Sequence, residues 1–247
     1  MERFLRTERL IGVEALRRLN NSLVTVIGLG AVGGYAVEGL ARAGIGNLRL
    51  VDFDIVQKHN INRQIYALET TIGQKKMQLA KERVLAINPS CKVESLDLFA
   101  DQETIPEILD PQPDILVDAI DSLNSKLRLL ETAYKNKIEV ISSMGAALRT
   151  DTNHIHTADL MDSWKCPLAK RIRKKLRRRE VGRGITCVYS TEDIVFDYVE
   201  PEDEQPEDFT ESERGRERRV LGSLPTITGI FGLTIANIAI QKLREKV

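Results

Sequence analysis

The chain has 247 residues, 36 basic and 36 acidic, so its formal net charge is zero, and 42% of it is hydrophobic. That is enough for one sizeable core in one or two domains. Three cysteines without a CxxC pair argue against a structural tetrathiolate zinc site and suit a reducing compartment, while the opening MERFLRTERL is charged throughout and has no apolar run of a secretory signal. A cytoplasmic protein is the expectation.

Residues 3–20 carry Leu5, Leu10, Ile11, Leu16 and Leu19 at helical spacing, which predicts helices. Residues 22–27, SLVTVI, form a short β-branched strand, and a glycine-rich turn over 28–34 leads into a helix over 35–43, closed by Gly44 and Gly46. A second strand spans 47–51 and a helix 74–87. A third strand covers 92–98, a short helix 101–109, a fourth strand 114–120, a helix 125–136 and a fifth strand 139–142. Strands alternating with helices imply a mostly parallel α/β sheet with helices on both faces, a Rossmann-like arrangement.

The remainder departs from that pattern. HIHTADL (154–160) and GITCVYS (184–190) are strands of a smaller antiparallel portion, separated by a basic helix within 166–181. Eleven acids fall in the 22 residues 192–213, and 200–219 is too polar to bury, which predicts a surface loop. Residues 220–241 contain no charge but include Pro225, several threonines and glycines, so a helix over 227–244 packed in a core fits better than a membrane span. The expected organisation is a single domain over 1–247, with a nucleotide-binding part at 1–150 and the basic helix, acidic loop and last helix at 151–247.

Gly28, Gly30 and Gly33 follow a strand and open a helix, and Asp52 closes the next strand about 20 residues on, where an acid can hold a ribose. Glycines there permit the tight turn and close phosphate approach, and the helix N-terminus favours an anion. A plain structural turn is the alternative. A dehydrogenase needs no more than this. Here Asp54, Asn60, Asn62, Arg63 and Gln64 follow in one polar loop, Lys76 lies near the start of a helix, and Asp121 is expected to end the fourth strand. Any one of these fits a solvated loop. As a set they suit a nucleoside triphosphate, with Arg63 and Lys76 on the phosphates and Asp121 on a magnesium ion.

The ordered motifs GLGAVGG, DFDIVQKHNINRQ, IGQKK and DAID resemble the ubiquitin-activating-enzyme (ThiF/MoeB-like) superfamily over most of residues 1–150. The resemblance implies ATP-dependent carboxylate adenylation in a homodimer. It assigns Asp52 to the ribose, Asn60, Arg63 and Lys76 to the phosphates and Asp121 to magnesium. It also makes Arg9, in RTERLIG, the arginine that reaches into the partner's site. Sulfur-carrier activators of this superfamily usually hold two CxxC pairs, which this chain lacks. Activation of a ubiquitin-like carrier is therefore the alternative expectation.

Eight of the ten residues 170–179 are Lys or Arg: Lys170, Arg171, Arg173, Lys174, Lys175, Arg177, Arg178 and Arg179. Leu168, Ile172 and Leu176 give that helix one apolar stripe. Such a charge run is often only a solvated face, yet it self-repels unless an anion offsets it, and a phosphate backbone is the expected one. The acidic run is the competing, intramolecular partner. The block PLAKRIRKKLRRR, with YSTE and LGSLPTITGIFGLTIAN, is similar to the subfamily of tRNA threonylcarbamoyladenosine dehydratases. This extends the resemblance over nearly the whole chain and implies a tRNA substrate whose threonine carboxylate is adenylated and then closes into a ring. Some members work with a cysteine desulfurase and its sulfur-acceptor protein. Cys187 reads as core. Cys166, just before Pro167 at the start of the basic helix, is a candidate thiol acceptor, His154 and His156 are surface or edge residues, and Trp164 either packs the basic helix or stacks a base.

Overall fold

The computed structural model describes residues 2–194 and 221–246. Most of the acidic run, and the loop expected at 200–219, lie outside the described residues.

Glu2–Phe4 forms one 3-10 turn, then α1 (Leu5–Ile11) and α2 (Val13–Asn21) follow, broken at Gly12 with φ +86°. The core alternates β1 (Leu23–Ile27), α3 (Gly33–Ala43), β2 (Asn47–Val51), α4 (Lys76–Ile87), β3 (Lys92–Leu96), α5 (Ile105–Ile108), β4 (Ile115–Asp118), α6 (Leu123–Lys135) and β5 (Val140–Ser143). Then come β6 (Ile155–Asp159), α7 (Pro167–Arg177), β7 (Ile185–Ser190) and α8 (Pro225–Glu245). One seven-stranded sheet runs β3-β2-β1-β4-β5-β7-β6, parallel except for the edge strand β6. The antiparallel portion therefore extends the same sheet: β7 lies parallel to β5, with Val140 opposite Ile185.

The central strands LVTVI and ILVD are almost wholly buried, as unbroken apolar runs should be when helices cover both faces. One core gathers α3, α4 and α8 around Val24, Val26, Leu48 and Leu50; the other gathers α6 and α7 around Leu116, Val140 and Ile185. The last helix passes the length and composition test for a membrane span, yet Ile227, Phe231, Ile235, Ala239 and Leu243 are buried against the body of the protein.

Element ends differ from expectation in instructive ways. The helix expected over 101–109 shrinks to Ile105–Ile108 because Asp101 Oδ1 accepts the peptide N–H groups of Glu103 and Thr104, which closes a turn first. The fourth strand stops at Asp118, so Asp121 stands in the following loop rather than at the strand end. The chain builds β1, β2 and β3 outward to one side and β4 and β5 to the other. The crevice at the carboxyl ends of β1 and β4 is thus the switch point where such sheets bind ligands.

Candidate active site

Gly28 leaves β1 with φ +87°, and a Cβ there would meet Ala119 O at 2.7 Å. A Cβ on Gly33 would fall 1.7 Å from Gly28 O. Both glycines are thus required by the turn and its packing. Gly30 is different: a Cβ would reach only Gln64 Nε2, at an ordinary 3.6 Å. Of the three, Gly30 alone leaves its surroundings to a side chain or a ligand.

Asp52 ties this turn to β2. Its Oδ2 accepts the Leu29 N–H at 2.6 Å and its Oδ1 the Asp54 N–H at 2.8 Å. Burial raises its pKa, against the Lys76 charge and the two peptide donors, which lower it. The carboxylate is half committed to holding the loop and has lone pairs left for a hydroxyl donor. Lys76, the first residue of α4, is buried with its Nζ 2.8 Å from Asp54 Oδ2.

Arg63 is half-buried and donates through Nη1 to His59 O (2.9 Å) and Asn62 Oδ1 (2.7 Å). Burial lowers its pKa, and the charge of Asp121 opposes the shift. Asn60 is buried, and its Oδ1 accepts the Gln57 N–H at 3.1 Å, which closes the 3-10 turn that presents Arg63. The fold thus brings together Gly30, Asp52, Asp54, Asn60, Arg63, Gln64, Lys76 and Asp121. A single chain does not bring Arg9 to them. Arg9 projects from the exposed α1, and Phe4, at the start of that segment, packs near Gly44 at the far end of α3.

A buried polar group behind the site escapes sequence reasoning. Asp118 Oδ2 accepts from Lys126 Nζ and from Ser142 Oγ, each at 2.6 Å, and Lys126 also donates to Ser143 O at 3.0 Å. Asp118 Oδ1 accepts the Ile120 N–H at 3.1 Å. The one available signal was the first acid of DAID, at the end of an apolar run. Lys126 looks like any surface lysine in a helix.

The basic helix α7 buries Ala169, Ile172 and Leu176. Of the eight cations in residues 170–179, which run two residues past the helix, two serve the fold: Arg173 bonds to Ser163 Oγ, and Arg179 pairs with Glu131 at 2.6 Å. Lys170, Arg171, Lys174, Lys175, Arg177 and Arg178 face solvent. Cys166 is only 2% exposed, which leaves its sulfur out of reach of a carrier protein; Cys187 is buried too, its thiol pushed up to about 12 by desolvation. His154 Nδ1 and His156 Nε2 lie 3.2 and 3.0 Å from the Thr191 hydroxyl at the sheet edge.

The model of the ThiF family matches residues 3–246. A tRNA threonylcarbamoyladenosine dehydratase of Bacillus subtilis is 42% identical over 78% of this chain and 76% of its own length. The enzyme of the same description from Escherichia coli is 32% identical over 99% of this chain and 94% of its own. The crystal structure of the E. coli dehydratase in complex with ATP covers 98% of this chain and 93% of its own, with a TM-score of 0.86. A molybdopterin-synthase adenylyltransferase of Haemophilus influenzae is 33% identical over only 57% of each chain.

Proposed function

The chain belongs to the ThiF family, and from that membership we infer that it is an ATP-dependent tRNA threonylcarbamoyladenosine dehydratase. The observation that carries the reading is the likeness over 98% of the chain to a dehydratase crystallised with ATP, combined with a crevice that holds Asp52, Arg63, Lys76 and Asp121. The adenylyltransferase relatives, which represent activation of a sulfur-carrier protein, match barely more than half of the chain.

The substrate carboxylate attacks the α-phosphate of ATP and pyrophosphate leaves. The mixed anhydride is then attacked by a nitrogen or oxygen of the same carbamoyl group, the ring closes, a proton is lost and AMP departs. A free carboxylate is a poor electrophile, and adenylation corrects that. No cysteine nucleophile is needed, because the attacking group belongs to the substrate, and buried Cys166 fits that scheme.

In this reading Asp52 accepts a ribose hydroxyl, and Gly30 gives the nucleotide room beside Gln64. Arg63, Asn60 and Lys76 hold the phosphates, where negative charge builds as pyrophosphate leaves. Lys76 exchanges its Asp54 partner for phosphate. Asp121 would hold a magnesium ion, which neutralises phosphate charge when bound. The fit is chemical: an exposed carboxylate on the loop after β4 suits an ion held mainly by phosphates and water. The six exposed cations of residues 170–178 bind the tRNA backbone. Arg9 completes the site of a second copy in a homodimer, and the reaction is cytoplasmic. A cysteine desulfurase with its sulfur acceptor is a further candidate partner.

The test is pyrophosphate release from ATP and magnesium with tRNA that does or does not carry the threonylcarbamoyl group. Release with modified tRNA alone, and loss of one water from the nucleoside mass, is the expected result. No release with either tRNA would favour the carrier-protein activator.

A further inference from the structure

Trp164 is the single tryptophan of the chain, and 53% of it is exposed. A large aromatic residue is ordinarily well buried, so an indole left this open stands out. It is not loosely held. The peptide N–H of Cys166 bonds to Trp164 O at 2.7 Å and closes a tight turn around Lys165, whose φ is +58°. A lysine in the left-handed region is strained, and such strain gathers at ligand sites. The Lys165 ammonium stands 5.8 Å from the ring centroid. Lys165 is itself anchored, its Nζ 2.7 Å from Asp193 Oδ2.

The location is equally specific. Tyr189 and Asp193 lie at the carboxyl end of β7, the same edge of the sheet as the crevice. β7 is two places from β4, which is about 10 Å of sheet. Trp164 also stands at the foot of α7, directly before the exposed cations Lys170, Arg171 and Lys174. An aromatic face beside a basic track is how proteins hold single-stranded nucleic acid, the cations following phosphates while a base stacks.

We propose that Trp164 is a stacking platform for an unpaired tRNA base near the modified adenosine, holding the strand between α7 and the crevice. This rests on the tRNA reading given above. A stacked base adds affinity without ionic contacts, so its loss and the loss of a cation differ in their response to salt.

The test uses the full chain. Because Trp164 is the only tryptophan, intrinsic fluorescence reports it alone, and titration with modified tRNA is expected to quench it saturably. Trp164→Ala is expected to raise the KM for tRNA about tenfold or more, while leaving the KM for ATP and the salt slope of tRNA binding unchanged. Trp164→Phe keeps a stacking face and is expected to restore most of the loss. Unchanged fluorescence and an unchanged tRNA KM in Trp164→Ala, with cyclisation intact, would overturn the platform and leave the dehydratase reading standing. Failure of the unaltered chain to bind any tRNA would overturn both.

Discussion

Lys126 Nζ stands 2.6 Å from Asp118 Oδ2, and neither side chain reaches solvent. Fully buried charges are costly unless every lone pair and proton is used. Here they nearly all are: Ser142 Oγ, Ser143 O and the Ile120 N–H complete the set. The arrangement pins the start of the loop that carries Asp121. Removing one partner strands the other, so Lys126→Met should cost about 3–5 kcal/mol and Ser142→Ala about 1–2. Replacing both charges, Asp118→Leu with Lys126→Met, should recover much of the loss. Urea unfolding of the variants measures this; a cost below about 1 kcal/mol for Lys126→Met would refute it.

Burial lowers the Arg63 pKa, and the nearby charge of Asp121 works against that shift. If the two residues act on the phosphates and the metal, their loss should strike chemistry and spare tRNA affinity. Arg63→Ala and Asp121→Ala are expected to lower the rate of pyrophosphate release by about 100-fold or more, with the Kd for tRNA unchanged. A parallel fall in tRNA affinity would mean that the loop had collapsed.

The alternation of strands and helices and the glycine turn were legible because apolar runs, glycines and a strand-end acid each carry a local signal, whereas the strand order came only from the structure. Gly28, Asp52, Arg63 and Lys76 fall where their motifs predict. What stayed hidden depends on contacts far apart in the chain. Asp118 meets Ser142 across β5, and Lys126 is buried inside an otherwise ordinary helix, so no spacing announces them. Asp121 was read as a strand end because Ala119 and Ile120 continue the apolar run past Asp118, yet the strand ends at Asp118. The basic run was visible as a charge density, but only tertiary structure separates Arg173 and Arg179, which hold the fold, from their six exposed neighbours.

Glu38, on α3, gathers Arg83 (Nε to Oε2, 2.9 Å) and Arg42 (Nε to Oε1, 2.6 Å). Burial raises its pKa, but the two guanidiniums outweigh burial and the net direction is down. Its folded pKa therefore lies below the unfolded one. The stability it contributes is present above the ordinary glutamate range, about 4.3, and is lost as pH falls through the lowered value. Both arginines are well exposed, so the effect is modest: Glu38→Gln should destabilise by about 1 kcal/mol at neutral pH. The gap should vanish in strong acid. Denaturant midpoints across pH test it, and a gap that persists at low pH would point to packing instead.

The six exposed cations of residues 170–178 make the most easily quantified claim. Each lysine or arginine that neutralises a phosphate releases counterions, so its removal should flatten the dependence of log K on log salt by about one unit or slightly less. Neutralising Lys174, Lys175, Arg177 and Arg178 together should weaken tRNA binding strongly at low salt and reduce the slope by about three. Removing Arg179 alone should leave the slope nearly unchanged, because its guanidinium is already paired with Glu131 at 2.6 Å. Filter binding across a salt series separates the two groups. Equal slopes for the quadruple variant and the unaltered chain would mean that the helix is a solvated face and that tRNA is held elsewhere.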